Sequence, residues 1–343
     1  MKRRFLGALL AVVLFSSLTA CGSTEVRPIV SPTPALKSQV GFYFDTVVTM
    51  QVYTDDETLL ADAQAECQRY DNLLSKTAEG SDVWNINHAE GQRVPVSDET
   101  REILDKALDY SRRSDGIFDI TVEPCVALWD FTGEGMGLLP DEAALSQAAA
   151  KVDWTQVDVN EEGVLLPAGM TIDLGAIAKG YITDRIADFL RARGVESGFL
   201  NFGGNVLTIG RKPDGSEWNI GIQDPLGTRD QSIVGAAKVS DQAVVTSGIY
   251  ERGFDLDGVR YHHILDTASG WPVQNELAGV SVIAGDAFDA DALSTTVFAM
   301  GVEKGTAFIE SLSGIDAIFV TRDDVVTWTS GLNDRFVLAD QVS

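Results

Sequence analysis

The amino-acid sequence predicts an α+β fold, with mixed and antiparallel sheets flanked by helices in a single folded unit. Three observations carry this. Helical spacing of apolar residues dominates the first half of the 343-residue chain, and short β-rich runs dominate from Ser197 onward. Strands and helices do not alternate as a doubly wound sheet requires. Beyond the N-terminal region no linker or fixed-period repeat divides the chain.

Val40–Tyr53 is rich in β-branched and aromatic residues and reads as a strand. The stretch from Glu57 to Lys76 sets Leu59, Leu60, Ala63, Cys67, Tyr70 and Leu74 at helical spacing. Ser97 caps a second helix, with Asp98 and Glu99 in its first turn. Ile103, Leu104, Ala107 and Leu108 form its buried face, and Gly116 can end it. Asp141–Lys151 is a third, Ala-rich helix. Thr171–Leu174 reads as a short strand leading into a helix from Gly175 to about Arg193, closed by Gly194. Strands follow at Gly198–Ile209, Trp218–Gln223, Ser232–Val239 and Val244–Ser247. Phe254–Leu265 reads as a hairpin across Asp257-Gly258, a pair suited to a type I′ turn. Leu277–Ala284 is a further strand, Asp289–Met300 and Glu303–Leu312 are helices, and Ile315–Thr321 and Val325–Thr329 are the closing strands.

Residues 1–21 have the layout of a lipoprotein signal peptide. Lys2, Arg3 and Arg4 precede an apolar core, Phe5–Phe15, that is too short to span a bilayer comfortably. Leu18-Thr19-Ala20-Cys21 has the form of a bacterial lipobox, so Cys21 is the expected site of lipid (palmitate) attachment. Residues 22–37, rich in Ser, Thr and Pro, read as a flexible tether, and residues 38–343 as the folded domain. The expected location is a bacterial membrane, with the domain on its extracytoplasmic side. Cys67 and Cys125 lie on apolar stretches and are expected to be buried thiols.

The chain carries 51 acidic against 26 basic residues, a formal charge of −25. Loss of Lys2, Arg3 and Arg4 with the signal would take it from −25 to −28. Such a charge excludes unaided nucleic-acid binding and a polybasic membrane mode. A phosphate ligand would need backbone N–H groups, a local Lys or a metal ion.

Four constellations could carry chemistry. In Thr171–Gly180 an acid, Asp173, precedes a helix start that carries Lys179; helix N-termini hold phosphates, though an ordinary capped turn looks the same. His262 and His263 are adjacent, and on a strand only one of them can face a given site, where it could act as a base. Asp291 and Thr295 lie four apart on one helix face, and their hard oxygens suit Mg²⁺. The structural alternative there is an N-cap at Asp289 and a Thr bonded back to its own helix. Gly116–Val122, with Leu128-Trp129 beyond it, offers aromatics for a flat ligand or for the core.

In order, GIFDITVEP…LW, IDLGAIAKGY, NFGGNV, TSGIYER, RYHHILD…SGWP and DADALSTTVFAMG resemble the ApbE family of flavin transferases, over about Gly41 to Gly301. The resemblance implies a T-fold-like catalytic unit and a Mg²⁺-dependent FAD:protein FMN transferase. Such an enzyme cleaves FAD, attaches FMN by a phosphodiester bond to a Thr or Ser of a partner protein, and releases AMP. By the same resemblance Asp291 and Thr295 bind Mg²⁺ through side chains, Asp291 thereby serving catalysis, and Ala176 binds it through its carbonyl. Asp173 and Lys179 contact FAD; Phe118, Asp119 and Ile120 line its groove; Phe44, Thr77 and Ile264 are further contacts. His263 matches the family's histidine near the reacting phosphate, as base or phosphate contact. The implied partner is an exported acceptor flavoprotein, such as a subunit of an Rnf or sodium-pumping quinone reductase complex, or an extracytoplasmic reductase.

The chain also departs from the family pattern. Phe44-Asp45-Thr46 stand where relatives often read MGT, Val122-Glu123-Pro124 where they often read VGP, and Thr267 follows Asp266 where they often have Pro. Ser294 sits where some carry another acid. Asp45 and Glu123 would weaken FAD binding if either faced the pyrophosphate. Water in place of the acceptor hydroxyl would make the same site a Mg²⁺-dependent FAD pyrophosphatase. A non-catalytic flavin- or solute-binding lipoprotein would have no need of the Asp291 and Thr295 pair.

Overall fold

The β-rich run at 40–53 folds as a hairpin rather than one strand. β1 (Leu36–Tyr43) pairs antiparallel with β2 (Thr46–Tyr53). Phe44 and Asp45 between them both have φ 56°, the left-handed pair that a type I′ turn requires. With Phe at the first position and no Gly at the second, the turn lacks the Asn-Gly or Asp-Gly signature. The computed structural model describes residues 33–133, 135–227 and 232–341. Pro34–Ser343 forms one compact unit. The signal segment, Cys21 and most of the expected tether lie outside the described residues. The tether's last two residues, Leu36 and Lys37, belong to β1, where Lys37 pairs with Glu57 at 2.7 Å. No described helix is long and apolar enough to cross a membrane.

α1 (Leu59–Leu74) buries the six residues that its spacing marked. α2 (Asp82–Asn87) is too short to show a period, and Ser81 caps it. α3 (Asp98–Arg113) starts at Ser97, whose Oγ accepts the Thr100 N–H at 3.1 Å. It closes through the Gly116 N–H, which donates to the Ser111 carbonyl at 2.8 Å. Tyr110 joins its buried face, whereas Leu108 is only half-buried. α4 (Glu123–Val126) and α5 (Glu142–Ala149) follow, then a small hairpin of β3 (Asp158–Asn160) and β4 (Gly163–Leu165).

Thr171–Leu174 forms no ladder. The Asn87 side chain exchanges hydrogen bonds with the Ile172 backbone at 2.8 and 2.9 Å, and the Asp173 N–H donates to the Ile120 carbonyl at 2.8 Å. This extended segment is held by a side chain, not by a neighbouring strand. α6 (Ala178–Ala192) begins after it, later than the expected start at Gly175.

β5 (Gly198–Phe202) and β6 (Asn205–Ile209) turn at Gly203-Gly204, with φ 60° and 94°. β7 (Trp218–Gln223), β8 (Ile233–Val239) and β9 (Ala243–Gly248) precede the hairpin of β10 (Gly253–Leu256) and β11 (Val259–His262). That hairpin turns at Asp257-Gly258 as expected. After β12 (Leu277–Ala284), α7 (Ala287–Glu310) breaks at Gly301, where φ is 78° and ψ 176°. Its halves are the two helices read from the sequence. β13 (Asp316–Thr321), β14 (Val326–Trp328) and β15 (Phe336–Leu338) complete the chain's strands among the described residues.

The main sheet has eight strands in the order β1-β2-β5-β6-β9-β12-β13-β14, and every neighbouring pair is antiparallel. One face, with Met50, Leu200, Val245, Val282 and Phe319, buries α1, α3, α6 and α7 in the main core. The other, with Val206, Val244, Ile283 and Ile318, meets the three-stranded sheet β15-β8-β7 through Ile222, Ala237 and Val239. A third cluster around Cys125, Trp129, Phe131 and Phe254 ties α4 and α5 to the β10–β11 hairpin. Cys67 and Cys125 are free buried thiols, and burial pushes them up to about 12 and about 11.

Candidate active site

α6 and α7 touch at Gly180. A Cβ there would lie 2.2 Å from the Ala287 carbonyl oxygen and 2.7 Å from the Asp291 Cβ, so only glycine permits the approach. The Gly180 N–H donates to Asp291 Oδ2 at 2.8 Å. In a regular helix it would donate to Ala176, four residues back. The Ala176 carbonyl therefore accepts no hydrogen bond among the described residues. Thr295, one turn beyond Asp291, is half-buried, and its hydroxyl also has no partner among the described residues. The threonine bonded back to its own helix is Thr296, at 2.7 Å from the Ala292 carbonyl.

The neighbouring acids have other work. Asp286, not Asp289, caps α7, accepting the Asp289 N–H at 2.7 Å. Asp289 pairs with Lys106 and accepts the Tyr110 hydroxyl at 2.7 Å. Ser294 is fully buried, shares a 2.8 Å hydrogen bond with Ser247 and donates to the Asp291 carbonyl at 2.9 Å. Lys179 Nζ donates to the Gly175 carbonyl at 3.1 Å and stands 3.9 Å from Asp291 Oδ1.

Carboxylate, hydroxyl and carbonyl oxygens are the donors Mg²⁺ prefers, and two of these three lack a partner among the described residues. The set fits the ion. Among the described residues no group of three His, Cys, Asp or Glu side chains is placed to hold a metal. An ion here would rest on one carboxylate and draw its remaining oxygens from backbone, hydroxyl, water and substrate.

Asp173 stands before α6. Its Oδ1 accepts the Gly175 N–H at 2.6 Å, and its Oδ2 accepts from Lys76 Nζ at 2.6 Å. Lys76 also donates to Glu123 Oε2 at 2.8 Å. Burial opposes the charge on Asp173, but Lys76 and the Gly175 N–H outweigh it and hold the carboxyl below its usual range. Neither Lys76 nor Glu123 carried a site signal in the sequence beyond Glu123's departure from the family pattern. Of the two departing acids, Asp45 sits exposed in the β1–β2 turn, and Glu123 faces Lys76.

The two histidines differ in burial. His262 is fully buried, with Nε2 bonded to the Val273 carbonyl at 2.9 Å. Burial pushes it down to about 4. His263, one residue past the end of β11, is half-buried, with Nδ1 3.3 Å from the Arg252 carbonyl. A carbonyl only accepts, so Nδ1 carries the proton and Nε2 presents its lone pair. Burial, then His262 beside it, lowers its proton affinity, with Lys179 and Arg252 adding to the effect.

The remaining expected contacts are less direct. Phe118 and Ile120 are buried in the main core. The Asp119 carboxylate is taken up by the Thr121 N–H and hydroxyl at 2.8 and 2.7 Å and by the Trp154 N–H at 3.0 Å. These three can line a groove only through backbone. Ile264 is buried beside His263, and Thr77 is exposed on the Lys76 loop. Phe44 lies nearly parallel to Phe202, with ring centroids 6.3 Å apart, at the sheet end that also carries Gly203. There the NFGGNV run places Asn205, 2% exposed, with an amide Nδ2 that lacks a partner among the described residues. Two surface cavities, of about 410 and 380 Å³, flank Lys106 and Phe288 and include none of these site residues.

Known proteins resemble this chain in sequence and in fold. The ApbE family model matches residues 44–319. An FAD:protein FMN transferase of Klebsiella pneumoniae is 39% identical over 293 residues, covering 84% of this chain and 90% of that protein. The crystal structure of the ApbE protein of Thermotoga maritima superposes with a TM-score of 0.81 at 32% identity, covering 87% of this chain and 98% of that one. The apo form of the flavinyl transferase ApbE of Pseudomonas stutzeri gives a TM-score of 0.78 at 32% identity, with 89% and 98% covered. By sequence match over most of its length and by fold, the chain belongs to the ApbE family.

Proposed function

We propose that this chain transfers FMN from FAD to a Ser or Thr hydroxyl of a partner protein and releases AMP, with Mg²⁺ held by Asp291, Thr295 and the Ala176 carbonyl. The observation that carries the proposal is the pair of unpartnered oxygens, on Ala176 and Thr295, beside a carboxylate fixed by Gly180. Mg²⁺ in this place would neutralise pyrophosphate charge and favour in-line attack. Gly180 holds Asp291 at a fixed orientation, and Lys179 adds a positive charge on the same side. His263 Nε2 takes the proton of the acceptor hydroxyl as the new O–P bond forms and the bond from phosphorus to the AMP oxygen breaks. Asp173 accepts from an N–H or O–H of FAD.

Cys21 carries a lipid anchor on this reading, residues 22–35 tether the domain to a bacterial membrane, and the acceptor is an exported flavoprotein on the extracytoplasmic side. The test combines the full chain, FAD, Mg²⁺ and acceptor fragments bearing a Ser or Thr. In-gel flavin fluorescence reports covalent transfer, and chromatography reports AMP. Asp291→Ala and EDTA should each abolish labelling, and undiminished labelling would refute the metal assignment. AMP and free FMN without any labelled acceptor would show a pyrophosphatase instead. A membrane-bound, lipid-modified chain that turns soluble in Cys21→Ala would support the anchor.

A further inference from the structure

Lys76, Glu123 and Asp173 reach one another from separate parts of the chain, Lys76 lying 47 residues from Glu123 and 97 from Asp173. One ammonium bridges the two carboxylates, at 2.8 and 2.6 Å. Their side chains are 35%, 13% and 21% exposed, in the same order, so the trio opens partly to solvent beside the start of α6. With both acids ionised the trio is net negative; with one acid protonated it is neutral. Burial and the adjacent Asp173 push Glu123 up to about 7, while Lys76 and the Gly175 N–H keep Asp173 ionised. Burial opposes the charge on Lys76 too, but the two acids outweigh it. Of the two acids, Glu123 is the one that holds its proton more tightly.

We propose that Lys76 and Glu123 form a charge-balancing pair that positions Asp173 for FAD, and that Glu123 sets how much negative charge the bound pyrophosphate meets. The proposal rests on the functional reading above. Asp173 already accepts from Gly175 on one oxygen and Lys76 on the other, so its remaining lone pairs suit a neutral N–H or O–H of the dinucleotide rather than a phosphate. Two of the three Lys76 N–H donors go to the acids, whose charges answer its own, so it is a positioning residue and not a phosphate clamp. The charged groups that face Glu123 are Lys76 and Asp173. On the elements around α4, Asp119 is turned to Thr121 and Trp154, Asp141 caps α5, Glu142 is exposed, and Lys179 is turned to Gly175 and Asp291. Glu123 thus adds or withdraws one negative charge in the cluster that holds Asp173.

The test is FAD binding by the full chain, read from flavin fluorescence quenching between pH 6 and 8, with thermal unfolding of the FAD-free proteins measured alongside. The wild-type Kd should rise about tenfold across this range as Glu123 ionises, a shift of the size expected for one charge near a dianion. Glu123→Gln should bind as the wild type does at pH 6 and lose the dependence. Lys76→Met should weaken FAD binding by at least about tenfold, and Glu123→Gln in the Lys76→Met background should restore it. A Glu123→Gln profile superimposable on that of the wild type overturns the proposal even if Lys76→Met fails to fold. So does a double variant that regains unfolding temperature without regaining FAD affinity, which would mark a purely structural pair. A wild-type chain that binds FAD with one pH-independent Kd overturns this proposal alone, whereas one that does not bind FAD at any pH overturns the functional reading with it.

Discussion

Gly180→Ala tests the helix contact on which the site depends. A Cβ at 2.2 Å from the Ala287 oxygen must move out to ordinary contact, so α6 and α7 would have to separate by about 1 Å, an overpacking cost of roughly 1–3 kcal/mol. The separation also stretches the Gly180 N–H bond to the Asp291 carboxylate, which stands at 2.8 Å and is 4% exposed. A hydrogen bond to a buried charge contributes about 1.5–3 kcal/mol. Against these, alanine's better helix propensity returns at most about 1 kcal/mol. The net expectation is a loss of about 2–5 kcal/mol, or roughly 3–8 °C in melting temperature for a domain of this size. Displacing Asp291 by about 1 Å should also cut FAD turnover on the order of 100-fold. Urea and thermal melts, with AMP release as the activity readout, measure both. Gly285→Ala is the control, because a Cβ there meets nothing within 4 Å. If Gly180→Ala melts at or above the wild-type temperature, the propensity gain has won, and the close contact does not exist as described.

Other outcomes follow from the same geometry. His262 is fully buried and held down to about 4 in the folded chain, below its usual 6.5, so the native state binds fewer protons than the unfolded one between these values. Its stabilising contribution, up to about 3 kcal/mol, is complete above pH 6.5 or so and is lost as pH falls toward 4. Urea midpoints at pH 7 and 4.5 should therefore differ less in His262→Gln than in the wild type. Thr295→Val keeps shape and removes a hydroxyl that bonds to no described residue, so the unfolding free energy should change by less than about 0.5 kcal/mol. The Mg²⁺-induced rise in melting temperature should shrink, with metal affinity down about tenfold. Asp119→Ala strands the Thr121 and Trp154 N–H groups and should cost about 2–4 kcal/mol in urea unfolding.

The elements legible in the sequence are those whose signal is local. α1, α3, β12 and the β10–β11 turn declare themselves by spacing, cap or turn residues. The Phe44-Asp45 turn does not, because Phe44, a residue that rarely adopts positive φ, is held there by the pairing of β1 and β2. Thr171–Leu174 has strand composition but finds the Asn87 amide, not a strand, as its partner. The site divides in the same way. Asp291 and Thr295 are visible because one helical turn relates them. The free carbonyl of Ala176 is not, since it exists only where Gly180 turns its N–H to a carboxylate 111 residues away. The Lys76 bridge is likewise a product of the fold.

The acidity of the chain acquires a specific meaning at this site. Lys76 and Lys179 at the site are already answered by acids: Lys76 by Asp173 and Glu123, Lys179 by Asp291 at 3.9 Å. A pyrophosphate entering here meets little uncompensated positive charge from these side chains, and field lines from a strongly acidic surface oppose its approach. FAD binding by such a surface therefore calls for a cation that arrives with the ligand, in a place where oxygens stand ready. Ala176, Asp291 and Thr295 supply those oxygens without spending a further acid, which would deepen the repulsion. It follows that FAD affinity should depend on Mg²⁺ more steeply than on ionic strength. An affinity that rises with added NaCl as much as with Mg²⁺ would show that general screening, and not a bound ion, overcomes the charge.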